Sequence, residues 1–146
     1  MPHTYEGQGF HCLYPDNWTL SQEQHADYDG FTLESPGTAM FTVLQYREPI
    51  EPQQAIEHAV KTLEEIYEDC EVEAVDADMP VEDAVSTELH FFVQRMLVAI
   101  RLRAFRAGGK TFLCQQQAED RDYDQNEAVF DAMLHSILRS IDAPAL

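Results

Sequence analysis

The densest run of chemically capable side chains is Asp120-Arg121-Asp122-Tyr123-Asp124-Gln125-Asn126, continuing to Asp131. Oxygen ligands at every second position resemble the start of a calcium loop. That chemistry breaks at two places. Gln125 stands where the loop needs glycine for its sharp turn, and Asp131 replaces the longer glutamate that closes such a site from two oxygens. The run is read as an acidic turn that favours the positive end of the final helix. A second candidate is Glu88 with His90, two apart on a strand and so on one face, where a base and its orienter would sit. A third is basic: Arg95, Arg101, Arg103, Arg106 and Lys110 crowd into one stretch of a chain with 9 Lys and Arg. Arg101 and Arg103 share a strand face and Phe105 continues it. With Glu88 and His90 they outline a cationic, partly aromatic groove for a carboxylate, for an acidic segment of a partner, or for a second copy of the chain. The competing account pairs these arginines with Glu88 or with helix carboxylates.

The acidic counterpart is one continuous stretch: Glu64, Glu65, Glu68, Asp69, Glu71, Glu73, Asp76, Asp78, Glu82 and Asp83. It is either a solubilising surface or a docking face for a basic protein, and charge of this density speeds encounter at low salt. No other pattern carries chemistry. His3, His11, His25, His58, His90 and His135 form neither HxH nor HExxH, and none sits at zinc spacing from a cysteine. Gly7-x-Gly9 precedes a strand where a dinucleotide fingerprint would precede a helix, and no GxSxG elbow occurs. No catalytic, cofactor or metal set is expected.

Composition narrows the class. The chain has 146 residues, 45% of them hydrophobic, enough for one domain spanning 1–146 with a core from about 10 to 141. With 27 Asp and Glu the formal net charge is −18. Such a surface repels phosphate backbones and acidic lipid heads, which excludes nucleic-acid and peripheral-membrane roles. No apolar run reaches the roughly 18 residues that cross a bilayer. The first residues lack a basic start followed by an apolar stretch, so no secretory signal is read. Cys12, Cys70 and Cys114 are odd in number and widely spaced, and a cytoplasmic location is expected. Cys12 and Cys114 lie in apolar strand-like runs, where they pack as small hydrophobes.

The elements that would position these residues follow from periodicity. Strands are predicted at 10–14, closed by Pro15-Asp16-Asn17, at 30–34, and at 40–47. In the third, Phe41, Val43 and Gln45 face one side and Met40, Thr42, Leu44 and Tyr46 the other. Pro52 opens a helix whose stripe is Ile56, Ala59, Val60, Leu63, Ile66 and Tyr67. A short strand at 71–75 and an acidic connection at 76–83 come next. Strands at 84–93, 95–106 and 110–118 then form an antiparallel meander, its second reversal made by Gly108-Gly109. Asp124 with Glu127 resembles a capping box that opens the last helix, whose stripe is Val129, Phe130, Met133, Leu134, Ile137 and Ile141. Phe91 and Phe92 are adjacent and point to opposite sheet faces, so both faces need cover, from helices or from a partner.

The order of these pieces carries a resemblance. An opening strand ends in Tyr14-Pro15-Asp16-Asn17-Trp18, a strand leads through Glu51-Pro52 into a long helix, and a three-strand meander precedes a final helix containing Ala128-Val129-Phe130-Asp131-Ala132-Met133-Leu134. From about Phe10 to Ile141 this resembles the Mog1/PsbP fold family, including its bacterial DcrB-like members. The resemblance implies an α+β fold, an antiparallel sheet of about six strands sandwiched between helices. It also implies a binding role without catalysis. The family includes a Ran-binding nuclear transport factor, extrinsic photosystem II subunits, and proteins that resemble adaptors for effectors of the type VI apparatus. None of those roles has residues that transfer to this chain, and fold alone does not set function.

The resulting expectation is a protein-binding module that docks a basic partner on Glu64, Glu65, Glu68, Asp69, Asp76 and Asp78. Two alternatives stand beside it. One is an adaptor for a secreted effector, which would be a homodimer. The other is a small-ligand binder or enzyme working at Glu88, His90, Arg101, Arg103 and Phe105.

Overall fold

The computed structural model describes residues 2–81 and 83–142. The chain runs β1 (His3–Glu6), β2 (His11–Tyr14), β3 (Thr19–Gln24), β4 (Tyr28–Glu34), β5 (Met40–Tyr46), α1 (Pro52–Ile66), β6 (Glu71–Val75), β7 (Val85–Val93), β8 (Met96–Ala107), β9 (Lys110–Glu119) and α2 (Asp120–Asp142). Strands β3 to β9 form one seven-stranded sheet in the order β3-β4-β5-β9-β8-β7-β6, and β1 with β2 forms a separate hairpin. Every pairing is antiparallel. The α+β class is as the sequence implied. The additional sheet strand is β3, Thr-Leu-Ser-Gln-Glu-Gln, an exposed edge with a single apolar residue and so no alternation to betray it.

The sheet is covered differently on its two faces. On one, Phe31, Phe41, Val43, Phe105, Phe112 and Cys114 meet the α2 stripe of Phe130, Met133, Leu134 and Ile137. The hairpin completes this layer: Tyr5 stacks on Phe31 at 4.1 Å, and Phe10 meets Phe112 edge-on at 5.4 Å. On the other face Leu89, Phe91, Ile100, Leu102 and Leu113 are closed by Ala55, Ile56 and Leu63 of α1. The two-faced reading of β5 holds: Phe41 and Val43 enter the first layer, Leu44 and Tyr46 the second. Helix α1 packs across β7, β8 and β9, and α2 packs across β2, β8 and β9. Among the described residues neither β6 nor β7 packs against α2 to the extent that β8 and β9 do.

Two helix boundaries differ from expectation. Ile66 was placed on the buried stripe of α1, yet it is 63% exposed. The chain leaves the helix at Tyr67, which is extended and stacks on Phe91 at 4.1 Å, so the closing contact passes to Tyr67 and Ile66 turns outward. Helix α2 starts at Asp120 rather than at Asp124. A Glu119 carboxylate oxygen accepts from the backbone nitrogens of Arg121 (3.1 Å) and Asp122 (3.2 Å), doing what was assigned to Asp124. The Asp120–Asp131 run is thus helical, and a helix fans successive side chains around its axis where a calcium loop gathers them. Among the described residues no group of three or more His, Cys, Asp or Glu side chains converges as a metal site does.

Candidate functional site

The acidic stretch folds into one border of the molecule. It takes in the last turn of α1, the turn at Asp69, the edge strand β6 and the connection to β7. Glu64, Glu65, Glu68, Asp69, Glu71, Glu73, Asp76, Asp78 and Asp83 are all exposed. Among the described residues none of them takes part in an ion pair. Glu82 lies outside the described residues. Among the described residues β6 pairs only with β7, so its other side keeps its backbone donors and acceptors unpaired by any described strand. The connection is ordered from within: the Asp78 backbone nitrogen donates to an Asp76 carboxylate oxygen at 2.8 Å.

Arg101 supports this border from behind. Register places Glu73, Glu88, Arg101 and Gln116 in one row across β6, β7, β8 and β9. Its Nη2 donates to the carbonyl oxygens of Asp76 (2.6 Å) and Ala77 (3.4 Å), and its Nε to the Ser86 hydroxyl (3.2 Å). The guanidinium therefore pins the start of the acidic connection against the sheet.

Arg103, one row further along, is enclosed beneath α2 and only 4% exposed. Its Nη1 donates to Gln116 Oε1 at 3.3 Å and lies 3.8 Å from an Asp131 carboxylate oxygen, while its Nε has no partner. Burial first, and the charge of Arg101 second, press its pKa below the ordinary arginine value. Gln116 in turn donates to the Tyr123 hydroxyl at 2.9 Å.

Phe105 does not line a groove. It is buried in the core and stacked on Phe112 at 5.4 Å, because its row lies where the α2 stripe and the hairpin close over the sheet. Glu88 and His90 share the face of Arg101, as their spacing required, and stay half-buried. The basic and acidic candidates therefore meet: Arg101 joins the acidic connection, Arg103 the helix, and Phe105 the core.

The end of the sheet where β7 turns into β8 exposes two large apolar side chains that charge and motif reading passed over. Phe92 is 70% exposed and Met96 46% exposed, and Gln94 and Arg95 form the two-residue turn between them. The adjacency of Phe91 and Phe92 was the available signal. Phe91 is buried under Tyr67, while Phe92 points to the opposite face.

Two further features complete the surface. A cavity of about 490 Å³ between β2 and α2 is lined by Leu13, Val129, Ala132 and Met133, with Asp16 and Arg139 at its rim. The thiols are quiet: burial pushes the Cys12 pKa up to about 12, and burial likewise raises that of Cys114.

The architecture defines a class: a large antiparallel sheet with one helix on each face and an N-terminal hairpin over one of them. Solved structures of the same class match over nearly their whole length. The cyanobacterial PsbP (CyanoP) of Synechocystis sp. PCC 6803 is similar at TM-score 0.66 and 16% identity, covering 92% of this chain and 90% of that one. A Mog1 variant is similar at TM-score 0.55 and 10% identity, covering 96% and 94%. A protein of unknown function from Pseudomonas aeruginosa is similar at TM-score 0.51 and 8% identity, covering 99% of each chain. No protein-family model and no curated protein matches the sequence. The chain has the Mog1/PsbP-like fold.

Proposed function

We propose that the chain is a protein-binding module that performs no catalysis and docks a basic partner on the acidic border formed by Glu64, Glu65, Glu68, Asp69, Asp76 and Asp78. One observation carries the reading: these carboxylates are exposed and, among the described residues, free of ion pairs. Unpaired like charges side by side raise the energy of the free protein, and a cationic partner relieves that repulsion on binding. Arg101 supports the same reading, since it fixes the backbone that presents Asp76. The fold is shared with CyanoP and Mog1 and leaves the role to the surface, here to these side chains. Contact at the exposed carboxylates steers association and is screened by salt.

The test is capture of a stoichiometric partner from source lysate by the tagged chain, at about 50 mM and about 500 mM salt. A basic protein held at low salt and released at high salt is the expected result. Reversal of Glu64, Glu65 and Glu68 to lysine should weaken that capture by tenfold or more. Capture that is indifferent to both salt and charge reversal would overturn the assignment.

A further inference from the structure

The sheet contains the same tight reversal twice, built from different residues. Between β8 and β9 the turn is Gly108-Gly109, with φ of 58° and 75°. Between β7 and β8 it is Gln94-Arg95, with φ of 48° and 72°. Both are two-residue hairpins with positive φ at each central position, the conformation that favours Asn-Gly or Gly-Gly. Glycine adopts it freely, whereas a side chain is strained there. The chain uses glycine at one end of β8 and forgoes it at the other. The large apolar side chains flanking the strained turn, Phe92 and Met96, are exposed at 70% and 46%. They point to opposite faces of the hairpin, each beside its register partner, Leu97 and Val93. Phenylalanine, methionine and arginine are the residue types enriched in the centres of protein interfaces.

The surroundings say what chemistry the occupant has. Tyr67 packs on Phe91 just inside the tip, so the α1–β6 turn comes to the same end of the sheet. That turn brings Glu68, Asp69 and Glu71, all exposed. Arg95 is the cation of the tip itself. A second copy of this chain would bring its own carboxylates to the same place, so self-association here is opposed by like charge.

We propose that the β7–β8 tip, Phe92 to Met96, is the apolar anchor of the docking site, entering a partner whose hydrophobic pocket is rimmed by lysine and arginine. This inference rests on the acidic-border reading and adds its central contact. Gln94 and Arg95, held at positive φ, project the tip beyond the end of the sheet so that Phe92 and Met96 stand clear for that contact.

The test uses the full chain and a displayed library of random peptides selected on it at about 100 mM salt. Enriched peptides should combine an aromatic or aliphatic anchor with lysine or arginine. A synthesised winner should bind the Phe92→Ser protein at least tenfold more weakly. The double variant Gln94→Asn, Arg95→Gly, which relieves the turn and removes its cation, should melt a few degrees higher and bind that peptide at least as tightly. The two readings separate cleanly. Loss of binding on reversing Glu65 and Glu68 but not on Phe92→Ser would overturn the anchor and leave the acidic border standing. Loss on Phe92→Ser without any effect of charge reversal would keep the anchor and overturn the basic rim. No enrichment over an unrelated acidic protein, or a dimer in sedimentation that Phe92→Ser dissolves, would overturn the proposal.

Discussion

Asp122 shows how one side chain can join distant parts of the chain. Its Oδ2 accepts from both the backbone nitrogen and the hydroxyl of Thr38, each at 2.7 Å, and its Oδ1 accepts from Asn126 at 2.8 Å. The Thr38 hydroxyl in turn accepts from the Glu119 nitrogen at 3.0 Å. The β4–β5 turn is thereby tied to the start of α2. The hydrogen bonds from Thr38 are the main reason the Asp122 carboxyl is held below its usual pKa, against a smaller opposing effect of burial. A carboxyl more acidic in the folded than in the unfolded chain contributes stability above its unfolded pKa, near 4, and loses it as pH falls through the folded value. Asp122→Ala should therefore cost about 1 kcal/mol near pH 7. The gap to the parent protein should close as the pH drops below about 4, and urea unfolding at several pH values measures it. A gap constant with pH would assign the role to packing instead.

At the scale of elements, the hairpin is attached to α2 by two serines one turn apart. Ser136 Oγ accepts from the Leu13 nitrogen at 3.0 Å and Ser140 Oγ from the His11 nitrogen at 2.9 Å. Each hydroxyl donates within the helix, to the carbonyls of Met133 and Ile137 at 2.7 Å. Ser136 is buried, so Ser136→Ala leaves the Leu13 donor without its partner and should cost about 1–2 kcal/mol. The urea midpoint should fall with an unchanged slope. These joints also mark what the sequence could reveal. Strong stripes and alternation made α1, β5 and the β7–β9 meander legible. Strand β3 has a single apolar residue and β1 is four residues long, so neither leaves a periodic signal. Side-chain parity placed Arg101, Arg103 and Phe105 on one face correctly. It could not say that α2 covers Arg103 and Phe105 while the acidic connection reaches back to Arg101, because those contacts join segments far apart in the chain. The start of α2 was misplaced because Glu119, a strand residue by pattern, is the one that caps the helix.

The whole molecule carries a formal charge of −18, with its acidic border facing outward. Self-repulsion of that size works against the compact state, and salt screens it. Thermal stability should therefore rise between about 10 and 200 mM sodium chloride. Over the same range docking on the border should weaken. Opposite salt responses of folding and binding in one protein are the expected signature, read by calorimetry and by peptide titration. Folding that weakens with salt would show instead that attractive ion pairs dominate the molecule. Among the described residues those pairs are few and mostly at the surface: Arg47 with Asp29, Arg106 with Glu51, and the half-enclosed Arg103 with Asp131.

The serine joints also constrain the order in which the chain can fold during synthesis. His11 and Ser140 are 129 positions apart, so the strand waits for a helix that is made much later. While the chain emerges from the ribosome, α1 and the meander can assemble through contacts close in sequence. The layer containing Phe10, Phe31, Phe112 and Phe130 cannot close until α2 is complete. A nascent chain arrested before Asp120 should thus expose that aromatic layer to chaperones, and one released after α2 should not.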